Sequence, residues 1–305
     1  MLDVRRLRLL KEFAERGTIA AAAAALGYTP SAVSQQLMAL EREAGVALLD
    51  RTARTAELTD AGRRLALHAG HILAMVEEAE ADLSGNEPSG RVAVAAFPTA
   101  AVAFAPALTR CVRANPGLTF VLHQPLRGEA LRQVRTGDVD VALVDDWSGR
   151  LPSTEAGALR FYPLLRDPLV LVVPRGHPVA DPGAPADLDR LRGEPWLAAP
   201  AGEPSRRAVD LLLAEAGGAY PEPWEFEGLG TILSLVARGI GIAALPRLTL
   251  AAGERRVVVR ELPGTERARD VYAVARASSI RRPSVAAILS VVHAAAAQLS
   301  SRRLV

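Results

Sequence analysis

The sequence is poor in cysteine and lysine and has little net charge, and each shortage limits the structures or functions that the chain can have. Cys111 is the only cysteine, so no disulfide can form within the chain, and we expect a reducing compartment, the cytoplasm. Lys11 is the single lysine among 36 basic residues, a bias that we attribute to a GC-rich genome. The formal net charge of +2 is too small to indicate DNA binding by itself. A DNA-binding surface would have to come from the arrangement of charges, not from their excess.

Long apolar segments are also missing. The start of the chain, MLDVRRLRLLKEF, has no apolar stretch of the length that a signal peptide needs. Two uncharged runs need attention, 92–109 and 283–301, but the first contains Pro98 and Pro106 and the second contains Ser, His and Gln. Both are shorter or more polar than a good spanning helix. We therefore predict buried segments of a soluble fold and no membrane partner.

Signatures of catalysis are scarce. The chain has no G-x-S-x-G elbow and no P-loop. The segment 239–244, GIGIAA, resembles a dinucleotide fingerprint, but it leads from a helix into a strand, the reverse of the required order. His68 and His71 are three residues apart with no third ligand nearby, which favours a solvated or packed pair over a metal site. We predict no catalytic residue, no metal and no cofactor, and keep an enzyme only as an alternative class.

Two helical segments that meet at a tight turn are the most informative feature present. Thr18 can cap a helix that is almost all alanine and that ends at Gly27, where glycine tolerates a left-handed backbone. Thr29 can cap the next helix, and Pro30 occupies its first position. A helix, a glycine turn and a second helix led by small polar residues are typical of a helix-turn-helix.

The second helix has one face suited to DNA. Ala32, Val33, Leu37 and Leu40 can pack inward, whereas Ser and Gln side chains on the other face can bond base edges in a major groove. Two core helices of any small α domain would show a similar pattern, so the pattern alone leaves both alternatives open. The residues that we predict to meet DNA from this segment are Thr29, Pro30, Ser31, Ser34 and Gln35.

A hairpin pattern comes directly after the second helix. The run 45–59 predicts a β-wing with Arg51 and Arg54 near its tip. Arginine suits phosphates or a narrow minor groove, so both residues are predicted to contact DNA, although solvated surface arginines would look the same.

Residues 59–84 predict one long helix. Apolar residues recur at intervals of four and three, which is the period of a coiled-coil seam. The alternative is an amphipathic helix packed on its own domain. We favour the seam and predict a dimer through Leu65, Ala69, Ile72, Val76 and Leu83. The sequence GNEPSG, at 85–90, then predicts a hinge.

From residue 91 onward, strand patterns alternate with helical ones. RVAVAAF, LTFVLHQ and DVDVALV predict strands separated by helices, and a second unit begins near DPLVLVVP. Such alternation implies a parallel sheet with helices on both faces. A final strand, DVYAVAR, and a helix over 283–299 are predicted to return to the first unit.

The order of these parts resembles a known family. From about residue 7 to residue 73 the chain resembles the N-terminal domain of LysR-type transcriptional regulators, and the most specific parts are TPSAVSQQLMALE and LLDRTARTAELTDAG with their separation. The remainder of the chain is similar to the effector domain of the same family. The resemblance implies an α/β protein with a winged helix-turn-helix, a long linker helix and a two-lobed, periplasmic-binding-protein-like domain.

The resemblance also implies domain boundaries and partners. The DNA-binding domain would span 1–58, the linker helix and hinge 59–88, and the effector domain 89–305. Lobe I would comprise about 91–164 and 268–305, and lobe II about 165–267. The implied partners are double-stranded promoter DNA, a small effector that carries an anionic group, a second copy in a homodimer or homotetramer, and, as a candidate, RNA polymerase. A second alternative is a small-molecule binding protein that does not bind DNA. It would leave the N-terminal helix-turn-helix without a function.

Strand-to-helix turns are the candidate effector-binding positions. Free N–H groups at a helix start, together with a hydroxyl, suit a carboxylate or another anion. By spacing alone, Thr99 is better explained as a helix cap, and Asp145 is equally suited to a turn. The resemblance, which implies an effector between the lobes, favours a site instead. The predicted residues are Pro98, Thr99, Ala100, Asp145, Ala201, Gly202 and Thr231.

Overall fold

The computed structural model describes residues 1–51, 56–83, 87–126, 128–149, 155–156, 158–181, 188–215, 224–262 and 267–301. Its first part comprises three helices and a short hairpin: α1 (Val4–Arg16), α2 (Ile19–Leu26), α3 (Pro30–Ala44), β1 (Leu49–Arg51) and β2 (Ala56–Leu58). The hydroxyls of Thr18 and Thr29 accept hydrogen bonds at the starts of α2 and α3, as predicted. Gly27 ends α2 with a φ of 71°.

The three helices enclose a small core. Leu10 of α1 and Leu40 of α3 are completely buried, and Ala22 of α2 packs with them. The alanine-rich sequence of α2 allows the helices to approach closely, because each side chain is a single methyl group. The next helix, α4 (Asp60–Leu83), closes this core from the other side with Ala66 and Ala69.

Lobe I is the next part of the chain, an α/β unit. Its elements are β3 (Gly90–Ala96), α5 (Pro98–Ala114), β4 (Leu118–His123), α6 (Ala130–Thr136), β5 (Val141–Asp146) and a short β6 (Glu155–Ala156). Lobe II is entered along β7 (Leu159–Pro174) and contains β8 (Leu197–Ala198), α7 (Pro204–Glu215), β9 (Trp224–Glu225), α8 (Leu229–Val236), β10 (Ala243–Pro246) and β11 (Val257–Glu261). The chain returns along β12 (Ala268–Arg276) and ends with α9 (Pro283–Ser301).

The strands form one long sheet path in the order β10-β7-β12-β5-β3-β4. Strands β3, β4 and β5 are parallel, but β12 is antiparallel to both β5 and β7. The prediction of a parallel sheet is therefore correct for these three strands of lobe I and for the short separate pair β8 and β9 of lobe II, but not for the crossover strands. The sheet is mixed because the chain must leave and re-enter lobe I along strands that run in opposite directions.

Strand β7 joins the two lobes. Its first half pairs with β12, and its second half, from Leu169 onward, pairs with β10 and β11. The predicted strand near DPLVLVVP is only the second half of this 16-residue element, and β11 has no counterpart in the prediction. Polar residues such as Arg166 and Asp167 interrupt the apolar pattern of β7, so the sequence does not show its continuity.

Helices cover both faces of the sheets, as the alternation predicted. In lobe I, α5 and α9 bury Phe104 and Ile288 on one face, while α6 buries Val134 on the other. Of the helices that the structure describes, α9 is the one long and apolar enough to cross a membrane by length and composition. Its Val285 and Val292 are buried with the α5 residues, so this helix forms part of the lobe I core.

Candidate DNA-binding surface and effector cleft

Helix α3 presents the polar face that the sequence predicted. Val33, Leu37 and Leu40 are buried in the domain core. The predicted contact residues lie on the other side: Thr29, Pro30, Ser31 and Gln35 are exposed, and Ser34 is half-buried. The Thr29 hydroxyl accepts from the amide of Ala32 at 3.3 Å, so its role within the chain is that of a helix cap.

Glu41 attaches α3 to the hairpin. Its carboxylate Oε1 accepts hydrogen bonds from the amides of Leu48 and Leu49, at 3.0 and 2.9 Å. Thr59, just after the hairpin, donates its hydroxyl to the carbonyl of Ala47 at 2.8 Å. The Glu41 bonds set the position of the hairpin relative to α3, and the Thr59 bond holds the two ends of the hairpin together. Sequence reasoning missed Glu41, whose acidic side chain gave no sign of a role near DNA.

The predicted wing is an antiparallel hairpin. Leu49 pairs with Leu58 and Arg51 pairs with Ala56. Arg51 ends β1 and therefore borders the tip, although its side chain lies outside the part of the chain that the structure describes. Arg54 lies within 52–55, outside the described residues. The hairpin geometry is compatible with a wing, and contacts of both arginines with DNA stay predictions.

Three of the five residues predicted to form the dimer seam of α4 pack on the N-terminal core of the same chain, and a dimer through this helix stays a prediction. Ala69 is completely buried in the N-terminal core, and Leu65 and Ile72 pack against the same core. For these three residues, the packing agrees with the alternative stated above, an amphipathic helix that packs on its own domain. Val76 is half-buried, and the side chain of Leu83 is not described.

Helix α4 also carries two exposed apolar side chains outside the residues that pack on the N-terminal core. Leu67 is 48% exposed and Met75 is 63% exposed. The two residues are eight positions apart, which places them about 80° apart around the helix.

At the junction of the lobes, the side chain of Arg269 forms hydrogen bonds with two of the predicted site residues. The guanidinium, 3% exposed, donates from Nη1 to Asp145 at 3.0 Å and from Nη2 to the hydroxyl of Thr99 at 2.7 Å. Its Nε donates to the buried carboxylate of Asp167 at 2.9 Å. Asp145 also accepts from the indole Nε1 of Trp147 at 3.0 Å. Neither Thr99 nor Asp145 is a simple cap or turn residue, because each is a partner of the buried cation.

Aromatic rings and lobe II complete this cluster. The Arg269 guanidinium carbon lies 4.7 Å from the centre of the Phe97 ring and 5.7 Å from the Trp147 ring, within the range of cation–π attraction. Asp167 accepts a further hydrogen bond, at 2.8 Å, from the amide of Leu248 in lobe II. Burial raises the pKa of Asp167, and the Arg269 charge and the two hydrogen bonds oppose that rise. The cluster therefore connects lobe I, both crossover strands and lobe II.

Helix α5 begins at this cluster. Phe97 precedes the helix, no side chain caps its start, and Pro98 is its first residue. Thr99 is 7% exposed and Ala100 is completely buried. Helix starts of this kind have N–H groups without helical partners and a partial positive charge. The predicted residues Pro98, Thr99 and Ala100 therefore surround a position that favours negative charge.

The remaining predicted residues lie in lobe II. Ala201 and Gly202 form the exposed turn between β8 and α7, and Gly202 has a φ of 90°. Thr231 is exposed in the first turn of α8. The structure thus brings Thr99 and Asp145 into contact through Arg269, and places Ala201, Gly202 and Thr231 on the turns of the other lobe.

Sequence reasoning missed Arg269, Asp167 and Trp147. One signal was available for Arg269, because it precedes Val271 by two residues and so falls on a buried face of β12. A charged residue at such a position needs a partner. Nothing local pointed to Asp167, which is 102 residues from Arg269 in the chain. Within the described residues, no cluster of three His, Cys, Asp or Glu side chains suits a metal ion.

Two family models match the chain. Residues 4–63 match the bacterial regulatory helix-turn-helix protein model of the lysR family, and residues 85–297 match the LysR substrate binding domain. The chain belongs to the LysR family of transcriptional regulators. It is a DNA-binding regulator, and the prediction of a regulator in preference to an enzyme is confirmed.

Individual relatives agree with this assignment. The chain is 32% identical to the uncharacterized HTH-type transcriptional regulator YfeR of Shigella flexneri, over 87% of this chain and 85% of that protein. It is 31% identical to a probable RuBisCO transcriptional regulator of Cyanophora paradoxa, over 79% and 75% of the two chains.

Solved structures show the same fold. Full-length OxyR of Pseudomonas aeruginosa, solved as a variant, superposes with a TM-score of 0.74 at 21% identity, covering 96% of this chain and 95% of that one. Full-length CbnR, solved in a complex with its target DNA, superposes with a TM-score of 0.54 at 23% identity, covering 97% and 100%. The predicted architecture, a winged helix-turn-helix, a linker helix and a two-lobed α/β domain, is confirmed.

Proposed function

We propose that a small molecule bound between lobes I and II controls this regulator. The observation that carries the proposal is the buried cluster of Arg269, Asp145 and Thr99 at the point where the chain passes between the lobes. Ligands in open α/β sheets bind beside the carboxyl ends of strands. Asp145 lies at the end of β5, and Thr99 comes just after the end of β3. Buried and partly buried charges that are held by hydrogen bonds at such a position are typical of a binding site.

The chemistry of the lobe I wall favours a ligand with both an anionic and a hydrogen-bonding group. The start of α5 suits the anion, since its N–H groups point out of the helix. Asp145, whose side chain is 27% exposed, can accept a hydrogen bond from a ligand donor while it holds Arg269. The opposite wall would be formed by Ala201, Gly202 and Thr231, which also lie at strand-to-helix turns.

Control then requires that the ligand prefers one arrangement of the lobes. A ligand that binds both arrangements equally well does not change the equilibrium between them. The bond between Asp167 and the amide of Leu248 makes the lobe junction sensitive to what happens at Arg269, because the same carboxylate serves both. A change in the contacts of Arg269 would therefore change how lobe II is held.

Self-association and cellular setting belong to the same proposal. The regulator would act in the cytoplasm as a homodimer or homotetramer, placing two α3 helices on one operator. The exposed apolar residues of α4, Leu67 and Met75, are the surface that we assign to this contact. A contact with RNA polymerase stays a prediction of the family resemblance.

The test begins with an effector search on the full chain. A thermal-shift screen of metabolites identifies compounds that raise the melting temperature, because a ligand that binds only the native state stabilises it. Calorimetry then compares the wild type with Thr99→Val. We expect about tenfold weaker binding or more, since a ligand acceptor loses its hydroxyl partner.

Thr109→Val is the matched control, because Thr109 is an exposed threonine of the same helix. It should leave ligand affinity unchanged, and both variants should bind operator DNA like the wild type when no ligand is present. Equal ligand affinity in all three proteins would remove Thr99 from the site. A complete screen in which no metabolite raises the melting temperature would contradict effector control.

A further inference from the structure

Two carboxylates lie side by side on the face of the lobe I sheet that points away from Arg269. Successive side chains of a strand point to opposite faces, so Asp146 and Asp270 face away from their neighbours Asp145 and Arg269. Asp146 of β5 pairs directly with Asp270 of β12, and both residues are half-buried. Like charges at directly opposite positions of neighbouring strands destabilise a sheet. We call Asp146 and Asp270 the acidic pair, and a positive charge beside it would relieve their repulsion.

A buried phenol lies next to the acidic pair. Tyr272 follows Asp270 by two residues, so it lies on the same face of β12, and it is 2% exposed. Its hydroxyl has no hydrogen-bonding partner among the residues that the structure describes. Burial raises the pKa of Tyr272, and the charges of Asp270 and Asp146 raise it further, which places the hydroxyl within electrostatic reach of both carboxylates. A buried hydroxyl without a partner is destabilising, and a ligand that hydrogen-bonds to it would remove that cost.

The charges around the acidic pair favour a monovalent cation. Arg166 of β7 pairs with Asp270 on the side away from Asp146 and offsets one of the two negative charges. One negative charge is left, whereas Mg²⁺ and Ca²⁺ prefer sites with several carboxylates. Within the described ranges of the chain, no group of three His, Cys, Asp or Glu side chains is placed to hold a metal ion.

Apolar side chains border the same place. Val144 of β5 and Pro163 of β7 pair with Tyr272 from its two sides, and directly paired residues share a face of the sheet. Val144 is half-buried and Pro163 is exposed. The Tyr272 ring packs edge-on against Phe161, with 6.4 Å between the ring centres, which restrains the phenol in this position. The acceptors therefore stand beside a surface on which a short alkyl chain can lie.

We propose that the acidic pair and Tyr272 form a second ligand site, which takes a small organic amine in its ammonium form. The ammonium N–H groups donate to the two carboxylates and to the Tyr272 hydroxyl, and three donors match three oxygen acceptors. The alkyl part of the ligand lies on Val144 and Pro163. This site is separate from the cleft between the lobes, since it occupies the other face of the sheet, and it does not depend on an effector in that cleft.

The test is a calorimetric titration of the full chain with n-butylammonium chloride, in an amine-free buffer at constant ionic strength. We expect saturable binding to the wild type and none of 1-butanol, which has a similar shape and no charge. Asp270→Asn should weaken ammonium binding by about tenfold or more, because a charge-assisted hydrogen bond is lost. Wild-type affinity in this variant would overturn the proposal, as would equal binding of 1-butanol.

Tyr272→Phe tests the hydroxyl without changing the charge. It should weaken butylammonium binding by about threefold or more, which is the effect of losing one neutral hydrogen bond. Its melting temperature without ligand should be at least that of the wild type, because the variant removes a buried hydroxyl that has no partner. A markedly lower melting temperature, or unchanged ammonium affinity, would exclude the hydroxyl from the site and contradict the proposal.

Two matched variants control for general effects. Tyr162→Phe removes the hydroxyl of a tyrosine that packs against the core on the other face of the sheet, and Glu87→Gln removes an exposed carboxylate of the same domain. Both should bind butylammonium like the wild type. A loss in either variant as large as that in Asp270→Asn would show that binding is not confined to the acidic pair.

Two further salts test the chemistry of the ligand. Tetramethylammonium chloride has the same charge but no N–H donor, so we expect it to bind about tenfold more weakly than butylammonium or not at all. Equal affinity for the two cations would refute the assigned hydrogen bonds. Magnesium chloride should not compete with butylammonium at equal concentration. Tighter binding of Mg²⁺, lost in Asp270→Asn, would overturn the proposal in favour of a metal site.

Discussion

The DNA-binding surface and the lobe junction are built in opposite ways. Residues of α3 that we predict to read DNA are neighbours in sequence, are mostly exposed, and need only a helix and its caps to face outward. The cluster around Arg269 is buried, and its members come from β3–α5, β5, β7 and β12. The first surface depends on local structure, whereas the second exists only when both crossover strands are in place.

This difference predicts how each region tolerates substitution. An exposed side chain can be removed without disturbing the fold, so its loss should appear in binding alone. Removing the partner of a buried charge is destabilising, because no water can take the partner's place beside the remaining charge. Substitutions of the buried charges at the lobe junction should therefore affect stability first, and those on α3 should affect DNA recognition first.

The largest effect is expected for Arg269→Met. The change leaves the carboxylate of Asp167 buried beside an apolar side chain, and breaking a buried pair in this way costs about 3–5 kcal/mol. Urea denaturation followed by tryptophan fluorescence should show this loss in the transition of the effector domain. Arg256→Met, which removes the exposed pair with Glu254, is the control and should leave the same transition unchanged. If both variants unfolded at the same urea concentration, the lobe junction would not depend on its buried ion pairs.

The next effect is expected for Gln35→Ala. It should cost about 1–3 kcal/mol at the specific operator and relax sequence preference there, because a base edge loses its hydrogen-bonding partner. Gln36→Ala is a matched control, since Gln36 is exposed but accepts a hydrogen bond from Arg6 of α1 at 2.9 Å. Titrations against operator and scrambled DNA should separate the two variants. Unchanged discrimination in Gln35→Ala would remove Gln35 from the reading role.

The smallest effect compares two neighbouring positions of α4. Met75→Glu places a charge on the exposed face and should weaken self-association by about tenfold or more, roughly 1.4 kcal/mol. Ile72→Glu should instead lower the melting temperature of the N-terminal domain, because Ile72 packs on its core. Light scattering and calorimetry distinguish the outcomes. A dimer weakened by Ile72→Glu at full stability, and not by Met75→Glu, would return the interface to the predicted seam.

The predicted dimer seam of α4 shows what an apolar repeat leaves undecided. Intervals of four and three residues describe an apolar face, and the sequence does not say whether that face meets another chain or its own domain. In the structure Leu65, Ala69 and Ile72 complete the N-terminal core. The same ambiguity does not arise in α3, where the caps, the proline and the polar face all depend on neighbours within one or two helical turns.

Most elements and their order could be predicted from the sequence alone, because capping residues, glycine stops and the alternation of strands with helices act over short stretches of chain. The same local patterns indicated the helix-turn-helix and the wing, and the two-lobed domain followed from the resemblance to the family. The buried face of α4, the mixed sheet, and the contacts of Arg269 with Thr99, Asp145 and Asp167 became known only from the folded chain. Distance along the chain explains this difference: Arg269 lies 102 residues from Asp167 and 170 from Thr99, so no local pattern records their contact.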